Sequence, residues 1–143
     1  MTTVVFDSSA LTKLLLTEAD SDIAIQLWMA ADGPVASQLA FPEVCAALGA
    51  AERDHRLTAA EASGAMSLWK GLWAAVRTID LTDDVTEQAG ALAVEHGLRG
   101  ADAVHVAGYL SMGAPSAVFA SWDRSQREGA AAAGVLLAPA SLP

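Results

Sequence analysis

The chain is poor in cysteine, in basic residues and in long apolar runs, and each scarcity narrows what it can be. A lone cysteine, Cys45, excludes an intrachain disulfide and suits a reducing compartment. Its plainest role is that of a small buried hydrophobe. No apolar stretch reaches the roughly 20 residues that a membrane-spanning helix needs. Met1 to Phe6 is a short uncharged stretch that runs at once into Asp7, so no secretory leader is expected. The expectation is a soluble cytoplasmic protein with no membrane partner. Lys and Arg number 8 against 17 Asp and Glu, a formal net charge of −9. Such a chain lacks the basic surface that ordinarily grips phosphates. A nucleic-acid role would therefore need cations gathered by the acids, or a basic partner.

Familiar phosphate devices are missing too. There is no GxGxxG and no P-loop sequence, which disfavours nucleotide binding through such loops. Phosphatase and receiver chemistries of similar topology want a Lys after a late strand. The only lysines are Lys13 and Lys70, and neither stands there. Asp7-Ser8-Ser9 also lacks the second Asp of a haloacid-type phosphatase.

What is present is an Ala-rich chain of 143 residues, suited to a single domain over 1–143 with a core large enough to need no staple. Val4-Val5-Phe6 reads as a buried strand, followed by a helix from Ser8 or Ser9 to about Leu16. Ile23, Leu27 and Ala30 lie at helical spacing, and Gly33-Pro34 is expected to break that helix before a brief strand at Val35-Ala36. Helices are expected from about 38–42 to His55, from the capping box Thr58-Ala-Ala-Glu61 to Trp73, and from Thr82 to just before Gly97. A strand over 76–79 falls between the last two. A helix over about 101–111, a strand over 117–120, a helix over 124–132 and an apolar run at 135–137 complete the chain. Strands alternating with helices predict an α/β protein with a parallel sheet flanked by helices.

In such sheets, function collects beyond the carboxyl ends of the strands. Asp7 and Asp123 each follow an expected strand directly. Glu43 and Asp102 each lie early in an expected helix. Singly, each could cap a helix or complement its N-terminus. Together, they could converge on one crevice. Several ionised carboxylates at close range need protons or cations, because two of them about 4 Å apart repel by roughly 4 kcal/mol at an effective dielectric near 20. Carboxylate oxygens are hard ligands that suit Mg²⁺ or Mn²⁺.

At these residues the chain resembles the PIN-domain family, in particular its VapC-type toxins. Val4-Val5-Phe6-Asp7-Ser8-Ser9-Ala10-Leu11 resembles the family's first strand and leading acid. Phe41-Pro42-Glu43-Val44, Arg99-Gly100-Ala101-Asp102-Ala103-Val104-His105-Val106-Ala107 and Ser121-Trp122-Asp123-Arg124 resemble the segments carrying the second, third and fourth acids. The resemblance covers nearly the whole chain. Each motif is short, and the ordered set is what makes it specific. It implies a central parallel sheet ordered 3-2-1-4-5 and metal-dependent cleavage of RNA by the toxin of a toxin–antitoxin pair. It also implies a catalytic set of Asp7, Glu43, Asp102 and Asp123. Asp7 and Asp102 would be the principal ligands of Mg²⁺ or Mn²⁺, with Asp123 helping to position the ion. Glu43 would bind a second ion or orient the attacking water, and Ser9 and Ser121 would support the pocket. A homodimer and a cognate antitoxin with a basic tail are further implications. Trp122 departs from the smaller residue usual at that position, which puts the role of Asp123 in most doubt.

Other residues admit quieter readings. His105, three residues after Asp102, reads as structural rather than as a ligand. His55 and His96 have no ligand spacing and read as surface or helix-end residues. Arg99 and Arg124 are solvated residues or phosphate contacts. Trp69 and Trp73 form one helical stripe, either core or an apolar groove for a partner, with a slight lean to the groove. The rival to the nuclease is a binding module with the same fold and no activity.

Overall fold

The computed structural model describes residues 2–143, and five parallel strands form its centre. In chain order the elements are β1 (Thr2–Phe6), α1 (Ser8–Thr12), α2 (Ser21–Ala30), β2 (Ala31–Ser37), α3 (Ala40–Arg53), α4 (Ala59–Trp73) and β3 (Arg77–Ile79). They continue with α5 (Asp83–His96), α6 (Gly100–Ser111), β4 (Val118–Ala120), α7 (Arg124–Ala132) and β5 (Leu137–Ala138). The sheet order is β3-β2-β1-β4-β5 and every pairing is parallel. This is the α/β architecture expected from the alternation of strands and helices, with the strand order that the resemblance implied.

The period-2 alternation of β1 feeds two cores, one on each face of the sheet. Val5 joins Val35, Val106 and Phe119 under α5, α6 and α7. Val4 and Phe6 join Ala10, Leu11, Val44 and Leu48 under α1, α3 and α4. Local chemistry sets the helix ends. Thr58 accepts from Glu61 N at 3.1 Å while the Glu61 carboxylate accepts from Thr58 N at 2.9 Å, so both halves of the capping box form. Gly97 ends α5 at φ +64°, a left-handed position that suits glycine.

Three expectations need correction. Gly33-Pro34 does not separate a helix from a brief strand, because both residues lie inside β2, which runs from Ala31 to Ser37. The register moves from Thr2↔Ala31 to Val4↔Pro34, so β2 carries one extra residue there. Gly33 takes φ +73° at that bulge, where Pro34 needs no ladder N–H. The first helix stops at Thr12 rather than near Leu16. Leu14, Leu15 and Leu16 all pack on the core, which one helical face cannot achieve for three consecutive residues. The apolar run at 135–137 leads into β5, where Leu137 and Ala138 pair with β4. Finally, Trp69 is core and not groove: it is fully buried and stacked on Phe41 at 5.9 Å, and its Nε1 donates to Phe41 O at 3.4 Å. Trp73 is half-buried against the same ring.

The strand order reverses between β1 and β4, which opens a crevice at their carboxyl ends. Among the described residues, no helix is long and apolar enough to cross a membrane.

Candidate active site

Asp7 stands where β1 ends and caps α1. Its Oδ1 accepts from Ala10 N at 2.9 Å and from Ser9 Oγ at 2.6 Å, and the residue is 1% exposed. Burial raises its carboxyl above the ordinary 3.8, outweighing the charge of His105 and the hydrogen bonds of Ser121, Ser9 and Ala10. Asp123 stands where β4 ends and caps α7, with Oδ1 accepting from Gln126 N at 2.9 Å. The same strand-to-helix turn is thus used twice, on the two strands that flank the crevice.

The other two acids arrive on helix starts. Asp102 lies in the first turn of α6 and is buried. Glu43 lies in the first turn of α3. Its Oε1 accepts from Ser8 Oγ at 2.7 Å and sits 2.5 Å from His105 Nε2. Burial pushes the Glu43 carboxyl up, but hydrogen bonds from His105 and Ser8 and the charges of His105 and Arg99 outweigh it and hold it below 4.5.

All four acids line one cavity of about 120 Å³, together with Ser8, Ser9, Arg99, His105 and Gln126. Larger cavities of about 480 and 490 Å³ elsewhere gather no such set of acids. Ser9 Oγ also accepts from Trp122 N at 2.9 Å, and Ser121 Oγ accepts from Asp123 N at 3.2 Å. These two serines therefore brace the β1 and β4 turns. Trp122 packs against the α1–α4 core and its Nε1 donates to Asp20 Oδ2 at 3.1 Å. Cys45 is half-buried, 3.8 Å from Met66 Sδ.

Three lining residues carry roles that sequence reasoning missed. Arg99, read as solvated or phosphate-facing, donates from Nε to Asp102 Oδ2 at 2.9 Å and from Nη2 to Asp123 Oδ2 at 3.3 Å. The i,i+3 spacing of Arg99 and Asp102 was the available signal. Gln126 is 2% exposed, and its Nε2 donates to Asp102 O at 3.2 Å. Asp123-x-x-Gln126 has capping-box form, which points that side chain at the wrong partner. Ser8 holds Glu43 across 35 residues, and nothing local announces it. Arg124, the other arginine in question, bonds the Pro143 carbonyl oxygen. His55 is exposed, and His96 sits at the end of α5 beside Glu95.

The donor set is right in kind for a hard divalent ion: four carboxylates around one polar cavity. As they stand, no three Asp, Glu, His or Cys side chains among the described residues converge to ligating geometry. The guanidinium of Arg99 is the cation bonded to two of the acids.

The chain is similar to several known proteins. Ribonucleases VapC45 and VapC49 of Mycobacterium tuberculosis (strains CDC 1551 / Oshkosh and ATCC 25618 / H37Rv) are each 51% identical over 142 residues, 99% of this chain and of theirs. The crystal structure of M. tuberculosis VapC20, described as a sarcin-ricin loop cleaving toxin, superposes with a TM-score of 0.69 at 22% identity. It covers 99% of this chain and 100% of that one. A toxin–antitoxin complex from Klebsiella pneumoniae gives 0.63 at 17% identity, over 85% and 87%. The PIN domain model matches residues 4–130, and on that match and the half-identical relatives this chain belongs to the PIN-domain family.

Proposed function

We propose that this chain, as one domain over 1–143, is a metal-dependent endoribonuclease and the cytoplasmic toxin of a toxin–antitoxin pair. The observation that carries the reading is the meeting of Asp7, Glu43, Asp102 and Asp123, from four different elements, in one cavity. The family membership and the named ribonuclease relatives support it.

In this reading Asp7 and Asp102 hold Mg²⁺ or Mn²⁺, and Asp123 completes its placement. When bound, such an ion would activate water and neutralise charge on the phosphate. Ser9 fixes the Asp7 carboxylate through Oδ1. Gln126 fixes the backbone that carries Asp102. Glu43 is the group left to orient the attacking water and accept its proton. Its carboxylate is held ionised and oriented by Ser8 and His105. His105 acts through Glu43 as a positioning residue. Water adds to the phosphorus as its proton passes to Glu43, and the P–O bond to the leaving ribose oxygen breaks; that oxygen takes a proton from solvent, leaving a phosphate monoester and a hydroxyl.

The antitoxin assignment draws on the toxin–antitoxin complex among the structural neighbours. A basic tail suits a chain of charge −9 with an acidic pocket. A homodimer is the expected assembly. A second reading, a binding module without activity, draws on the absence of three converged ligands among the described residues. The test is cleavage of an RNA mixture with Mg²⁺ or Mn²⁺, against EDTA and Asp7→Asn. Loss of cleavage in both controls is expected. Cleavage indifferent to chelator and substitution rejects the metal-dependent nuclease, and RNA binding without cleavage favours the module.

A further inference from the structure

Arg99 is the one cation that touches two of the pocket acids among the described residues, and it occupies one oxygen of each. Asp123 Oδ1 accepts from the Gln126 N–H that starts α7, so Oδ2 is the oxygen without a backbone partner. That oxygen accepts from Arg99 Nη2, while Asp102 Oδ2 accepts from Arg99 Nε. One planar guanidinium thus bridges acids that lie on different elements. Arg99 itself is not built in: its side chain is 74% exposed, against 9% for Asp102 and 31% for Asp123. Exposed ion pairs are weak and screened by salt, so this bridge can open.

We propose that Arg99 and a divalent cation are alternative occupants of the Asp102–Asp123 pair, with Arg99 acting as an internal competitor that lowers the affinity of the metal-free protein for the ion. The inference rests on the metal-dependent reading above. Without an ion, the guanidinium balances carboxylates that would otherwise repel each other. An ion bound by the pair would displace the guanidinium or share the carboxylates with a like charge, and either weakens its binding. The released side chain, on the solvent side of the pocket, has no other partner among the described residues.

The experiment is Mn²⁺ binding to the full chain without RNA, followed by the electron paramagnetic resonance of free Mn²⁺ at low ionic strength. It compares the natural protein with Arg99→Gln and with Arg124→Gln, which removes a neighbouring charge that touches none of the acids. Arg99→Gln is expected to bind Mn²⁺ about fivefold tighter, and Arg124→Gln to change affinity by less than about twofold. Raising the salt should narrow the difference. Equal or weaker binding by Arg99→Gln overturns exchange and leaves the metal site standing. Equal tightening in both variants overturns it too, because the effect is then net charge and not competition for oxygens. If neither the natural protein nor Arg99→Gln binds Mn²⁺, the metal reading of the pocket fails and the competition fails with it.

Discussion

Asp7 serves two ends that pull against each other. As a cap it needs only an acceptor oxygen, and an Asn supplies that as well as an Asp does. As a pocket acid it needs its charge, which burial penalises. Its folded-state pKa lies above the ordinary 3.8, so folding favours the protonated form. The contribution of Asp7 to stability is thus fully present below pH 3.8 and is lost as pH rises through the folded value. Asp7→Asn should therefore melt higher than the natural protein in EDTA at pH 7, by on the order of 3 °C, with the gap closing as pH is lowered. Calorimetry in EDTA reads this, and a lower melting temperature at pH 7 would show that the charge itself holds the fold. Glu43 behaves oppositely: its partners Ser8 and His105 more than offset its burial. The sequence placed both acids but was silent on this difference, because it depends on neighbours 35 and 62 residues away.

At the scale of elements, the pocket depends on how closely α7 approaches the segment leading into α6. Gly129 makes that approach possible. A Cβ there would lie 2.4 Å from Leu98 Cδ2 and 2.7 Å from its Cγ. Leu98 is buried and directly precedes Arg99, so it has little room to retreat. Gly129→Ala should destabilise by about 1–3 kcal/mol through overpacking, despite the roughly 1 kcal/mol that Ala gains over Gly in a helix. Urea denaturation followed by circular dichroism measures it. A stability equal to or above that of the natural protein would mean that Leu98 repacks freely. Most element types were legible, since capping box, strand alternation and glycine stops act over a few residues. The failures at Gly33-Pro34 and after Thr12 arise where pairing and core packing outweigh local preference.

On the scale of the whole molecule, charge is the dominant fact. A chain of net charge −9 meets RNA with few cations to offer. Near the pocket, Lys13 is paired to Glu18 and Arg99 to two acids. RNA binding by a cleavage-deficient Glu43→Gln variant should be weak in EDTA, with a shallow salt dependence, since each single-strand phosphate neutralised contributes a slope of about −0.7. Mg²⁺ should strengthen it by about tenfold or more. Filter binding across a salt series tests this, and a steep slope in EDTA would reveal a basic RNA face distinct from the pocket. By itself the sequence determined the alternation of strands and helices, the acids at their ends and the acidity that demands a cation, because these follow from composition and short-range periodicity. Only the tertiary structure decided that Arg99 bonds Asp102 and Asp123, that His105 and Ser8 hold Glu43, and that Trp69 is buried. The pocket contacts exist because the strand order opens a crevice between β1 and β4, and Trp69 is buried because α4 packs on α3; both bring together side chains far apart along the chain.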